Sequence, residues 1–147
     1  MSSQKIAAIL FAITALFCLI AGFTFFSDRA YNIHIAGGYV TLPSLVVLGA
    51  FALLMVTYAC FYYAYPALFP FKWLTWLHVL LLIPTSIHFM FQPDWFPQGP
   101  RRYYENASFI GQYQSTFLMI FMAAQVLFIV HLAIGVVKAA SRKSKTA

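Results

Sequence analysis

Long apolar runs separated by short polar breaks set the plan of this chain. The first run, Ile6 to Phe26, follows Ser2-Ser3-Gln4-Lys5 and ends at Ser27-Asp28-Arg29. About 21 residues at 1.5 Å each match a hydrocarbon layer roughly 30 Å thick. A secretory leader would have a shorter core and small residues at its end, whereas this run closes on Phe23-Thr24-Phe25-Phe26. It reads as a retained helix. A second span is expected over 39–65, with Pro43 in its first turn, where a missing N–H costs least. A third covers 73–90 and contains Pro84; a fourth covers 110–137. The pattern predicts an all-α integral membrane four-helix bundle in a single transmembrane domain, 1–147.

The breaks carry the polar residues. Ser27 to Gly38 forms the first loop, and Pro66 to Lys72 a short turn. An external loop, 91–109, is the longest interruption. It holds Pro93, Pro97 and Pro100, the acids Asp94 and Glu105, and the adjacent Arg101-Arg102. Such a loop between two hydrophobic helices is where a partner or ligand would be read. The basic tail, 138–147, contains Lys138, Arg142, Lys143 and Lys145.

Four spans put both termini on one side. That side carries Lys5, Lys72, Lys138, Arg142, Lys143 and Lys145 with no acid; the other carries Arg29, Arg101 and Arg102 with Asp28, Asp94 and Glu105. The Lys/Arg bias makes both termini cytoplasmic and the 91–109 loop external. The tail suits an anionic cytoplasmic leaflet, at about 1 kcal/mol per close charge. Aromatic residues crowd the end of the second span, at Tyr58, Phe61, Tyr62, Tyr63 and Tyr65, as in an interfacial belt.

Composition agrees: 63% of residues are hydrophobic and 8% charged, against about 25% charged in a soluble domain. The net charge of +6 sits at segment ends and builds no basic face, so nucleic acid is not an expected partner. Cys18 and Cys60 lie in apolar stretches without metal-binding spacing and read as packing residues.

Ionisable residues inside spans are candidates for function. Here they are His78, His131 and, nearer an end, His88; no acid, lysine or arginine lies deep in a span. That argues against an ion-coupled transporter and a voltage sensor. His78 and His88 stand about 15 Å apart along one helix, too far to share a metal ion. His78 with His131 is conceivable as a bis-histidine haem pair, and hydrogen bonding to neighbouring helices is the plainer reading of each. With all three carboxylates in loops, no nucleophile–base set can be assembled.

The order of Asn32-Ile33-His34-Ile35-Ala36-Gly37-Gly38-Tyr39, Trp76-Leu77-His78 and Pro100-Arg101-Arg102-Tyr103 resembles the last four helices of the haem-copper oxidase catalytic subunit, cytochrome c oxidase subunit I. The likeness covers about residues 30 to 135, and the Pro-Arg-Arg-Tyr element is its most specific part. It implies a helical membrane fold with the arginine loop outside. It also implies that the family's haem-ligand histidines fall at Pro43 and Leu45, and its magnesium-site residues at Ile35 and Ala36, none of which binds a metal. The helices bearing the copper ligands have no counterpart here. In the family such arginines face haem propionates, which a guanidinium fork suits.

The expected function is therefore a non-catalytic structural or accessory component of a respiratory membrane complex, in a bacterial inner membrane, with no cofactor of its own. Its partners would be the lipid bilayer and other membrane subunits, or itself. Two alternatives stand beside it. One is a small haem-binding electron-transfer protein using His78 and His131 with Arg101 or Arg102; the other is lipid or small-ligand binding at the external Arg-Arg loop.

Overall fold

A computed structural model describes residues 2–25, 30–35, 38–91 and 102–144, with side chains over 2–25, 42–88 and 116–141. Four helices dominate it: α1 (Ser3–Thr24), α2 (Ser44–Ala64), α3 (Lys72–Phe91) and α4 (Arg102–Ser144). Among the described residues three stretches are long and apolar enough to cross a membrane, Ser3–Thr24, Ser44–Ala64 and Thr116–Ser141. The third expected span, 73–90, is α3, whose ends match the sequence reading within a residue.

Helix α1 starts three residues before its apolar run because Ser2 caps it, the hydroxyl accepting from the Lys5 amide at 3.4 Å. Threonines inside the spans satisfy themselves. The hydroxyls of Thr14, Thr24 and Thr57 donate to the carbonyls of Leu10, Ile20 and Leu53, four residues back. Helix α3 continues through Pro84, where the Thr85 hydroxyl donates to the carbonyls of Leu81 and Leu82. This ties the turn around the proline back to its own backbone.

Three boundaries differ from the sequence reading, one of them the end of α4, which runs on to Ser144 through residues expected in the basic tail. Residues 39–43, expected in the second span, belong to a strand. β1 (Ala30–Ile35) and β2 (Gly38–Pro43) pair antiparallel, Ala30 opposite Pro43 and Ile35 opposite Gly38. Pro43 then leads directly into α2. Tyr39-Val40-Thr41-Leu42 is apolar and partly β-branched, and hydropathy alone cannot separate a short strand from the start of a helix. The remaining difference is at 102–109, expected in the external loop and found as the opening turns of α4. After Pro100 nothing up to Ser108 breaks a helix, so it begins at once. The rest of that loop, 92–101, and the residues 26–29 and 36–37 lie outside the described residues.

Packing is closest between α1 and α2, while α3 sits against α1 and α4. The buried face of α1 is built from small residues, Ala7, Ala8, Ala15, Cys18, Ala21 and Gly22, with Phe11 among them. It meets Leu48, Ala52 and Met55 of α2 in one core. Small side chains let helices approach where water supplies no hydrophobic drive. A Cβ on Gly22 would stand 3.3 Å from Leu48 Cδ1, which shows how close that approach is. Away from these contacts the helices expose large apolar residues, among them Ile13, Leu16 and Phe23 of α1 and Met119, Met122 and Ile129 of α4.

The chain between α2 and α3 closes one end of the molecule. It contains a single 3₁₀ turn, Pro66–Leu68, against which α4 packs at Gly135. A Cβ there would lie 1.7 Å from the Leu68 carbonyl oxygen and 2.8 Å from its Cα. Gly135→Ala is therefore expected to lower stability by roughly 1–3 kcal/mol or more. Gly49→Ala, with nothing within 4 Å of the added methyl, should change it by less than about 1 kcal/mol, in the stabilising direction. Thermal unfolding of both variants in detergent checks the contrast.

Candidate functional site

Four buried polar residues, Gln4, Thr75, His78 and His131, gather toward this closed end. Proline at 66 and 70 restricts the chain, and the amides of Leu68 and Phe69 bond back to the carbonyls of Tyr65 and Pro66 at 3.0 and 3.2 Å. That turn drives Phe69 inward, where it is fully buried. Its ring centroid lies 4.3 Å from that of Tyr62 and 5.6 Å from that of Phe128.

Three helices then grip the turn. From α1, the Gln4 side-chain amide donates to the Phe69 carbonyl at 2.9 Å. From α4, His131 Nε2 accepts the Phe71 amide at 3.3 Å, and the His131 ring stands edge-on to Phe69 at 5.2 Å. From α2, the Tyr62 ring packs on Phe69 at 4.3 Å and stacks on Phe11 of α1 at 5.8 Å. A proline-rich turn exposes backbone groups that an apolar surrounding cannot satisfy. Here side chains from α1 and α4 supply the partners.

His78, one and a half turns into α3, is fully buried. Its Nδ1 lies 3.0 Å from the Tyr62 hydroxyl. Around the ring stand Tyr58 at 4.8 Å, edge-on, with Phe11 and Phe128 each at 5.3 Å. The Tyr58 hydroxyl donates to Gln125 Oε1 on α4. Since the Phe71 amide donates to His131 Nε2, a neutral His131 carries its proton on Nδ1. Among the described residues, His131 Nδ1, His78 Nε2 and Gln125 Nε2 are buried without a partner.

Of the residues singled out from sequence, His78 and His131 are thus brought into one cluster. His88 lies farther along α3, stacked on Phe117 at 3.6 Å. Arg101 lies outside the described residues; Arg102 is the first residue of α4, its side chain also outside them. His131 follows Arg102 by 29 positions on one helix, which places the two roughly 44 Å apart along its axis. No porphyrin bridges that distance with its propionates, so the set of His78, His131 and Arg102 does not form a haem site.

The two histidines alone fit a haem poorly as well. Phe69 touches His131, Phe128 touches His78, and the two phenyl rings touch each other, so aromatic rings fill the line between them. His131 Nε2 and His78 Nδ1 are already hydrogen-bonded. The arrangement joins four helices and a turn through imidazole, phenol and amide groups.

Sequence reasoning did not single out Gln4, Tyr58, Tyr62, Phe69, Gln125 or Gly135 for this cluster. Two signals were present. Gln4 and Gln125 are polar residues bordering or inside apolar runs, and Gly135 follows His131 by four, on the same helix face. No protein-family model matches the chain, and neither a curated protein nor a solved structure does.

Tyr62→Phe removes the hydrogen-bond partner of His78 Nδ1 and should cost about 1–3 kcal/mol. Tyr63→Phe, on the exposed side of the same helix, should stay within about 0.5 kcal/mol. Unfolding midpoints of the two variants, compared in one detergent, decide between a bonded and an idle histidine.

Proposed function

We propose that this chain is a multi-pass integral membrane protein that serves as a non-catalytic, structural component of a respiratory membrane complex. Its four helices form a bundle resembling the last helices of haem-copper oxidase subunit I. The observation that carries the reading is the use of the two in-span histidines. Each is spent on an internal hydrogen bond, His78 to the Tyr62 hydroxyl and His131 to the Phe71 amide, inside packed aromatic rings.

Three further features support it. The helices that are apolar enough to cross a membrane also expose large apolar side chains, which suits lipid and neighbouring subunits. The positions where the family's haem ligands would fall carry Pro43, which ends β2, and Leu45, in the first turn of α2. The beginning of α1 and the end of α4 both reach the 65–72 turn, so a basic cytoplasmic side with both termini is consistent with the charge bias. A bacterial inner membrane is the setting in which such a complex would be found.

Three measurements test the proposal. Membranes containing the protein are washed with alkaline carbonate, and tagged protein is then purified in mild detergent, with haem supplied during expression. The expected result is retention in the membrane, a flat visible spectrum in both redox states, and co-purification of respiratory subunits. A stoichiometric Soret band with reduced α and β bands would overturn the haem-free structural role. Purification of the chain without any respiratory subunit would overturn the assignment to a complex.

A further inference from the structure

The closed end of the molecule gathers cations that are far apart in sequence. Lys5 follows Gln4, whose side chain bonds the Phe69 carbonyl at 2.9 Å. Lys72 directly follows Phe71, and Lys138 Nζ lies 5.6 Å from the centre of the Phe71 ring. All three lysines are exposed, and they come from α1, α3 and α4. The turn from Tyr65 to Lys72 is the piece they share.

Among the described side chains no acid stands beside them. The three acids of the chain are Asp28, just past α1, Asp94, just past α3, and Glu105, in the first turn of α4. The same turn also presents the exposed rings of Tyr63, Tyr65 and Trp73, with Phe71 partly exposed beside them. Rings of this kind settle at the headgroup level of a bilayer, which places the three ammonium groups at the depth of lipid phosphates.

We propose that Lys5, Lys72 and Lys138, gathered around the 65–72 turn, bind the phosphate headgroup of an anionic membrane lipid. The inference rests on the membrane reading above and adds a specific ligand to it. Phosphate accepts from lysine as a point charge, without the fork geometry that arginine would impose. The Gln4 and His131 bonds keep the turn in place and hold the lysine-bearing segments around one headgroup. A bound lipid would in turn link α1, α3 and α4 where the turn joins them.

The test uses tryptophan fluorescence of the full chain in vesicles, with Trp95→Phe as background so that Trp73 and Trp76 report. Brominated phosphatidylglycerol is compared with brominated phosphatidylcholine as quencher at equal content. Preferential quenching by the anionic lipid is expected, its relative association constant falling about five-fold for each of Lys5→Gln, Lys72→Gln and Lys138→Gln. The preference should persist when Arg142, Lys143 and Lys145 are replaced instead. Equal quenching by both lipids, or a preference that survives loss of all three lysines, would overturn the site. Release of the protein from the vesicles by alkaline carbonate would instead sink the membrane reading itself.

Discussion

A backbone group that leaves water must find another partner, and in an apolar surrounding only the protein can provide it. The helices of this chain meet that demand internally; the turn between α2 and α3 cannot. It holds Pro66 and Pro70, and its polar groups lie against the ends of two other helices. The Gln4 amide takes the Phe69 carbonyl and His131 takes the Phe71 amide. Gly135 lets α4 come within touching distance of the Leu68 backbone. Remove these partners and the turn would have to swing outward. Phe69 would then leave a core in which it touches Tyr62, Phe128 and His131.

Polarity elsewhere in the core follows from the same economy. His78 with Tyr62 and Tyr58 with Gln125 are cross-helix pairs, joining α3 to α2 and α2 to α4. Between apolar helices such pairs provide direction that dispersion contacts lack, at about 1 kcal/mol each in membrane settings. The small-residue face of α1 provides proximity instead, which explains why α1 and α2 are the most closely packed pair. Proximity along α1–α2 and polar ties around the turn together account for how these helices associate without a water-driven core.

Much of the helical plan was legible in the hydropathy pattern, because a run of about 20 apolar residues has few other fates. The ends of α3 could be read within a residue, bounded by Lys72 on one side and by the polar loop on the other. The hairpin was not. Tyr39 to Pro43 continues the apolar run, and its pairing with Ala30 to Ile35 depends on a second segment rather than on its own composition. The pair Gly37-Gly38 between two apolar stretches was the available hint. The helical start at Arg102 was hidden by charge, since Arg102 and Glu105 suggested a loop although neither opposes a helix.

For the site, His78 and His131 could be singled out as rare ionisable residues in apolar runs, and they do share a cluster. Their roles could not be read, because the partners are a tyrosine from α2 and a backbone amide from the turn, remote in sequence. The 91–109 loop drew attention through its prolines and arginines, whereas the described structure converges on the shorter turn at 65–72. Amide hydrogen exchange across residues 65–72 in detergent tests that convergence most directly. The account predicts that the Phe71 amide exchanges as slowly as the flanking helices, and that His131→Phe speeds it while α1 and α2 stay protected. Rapid exchange of the whole turn in the unaltered protein would contradict it.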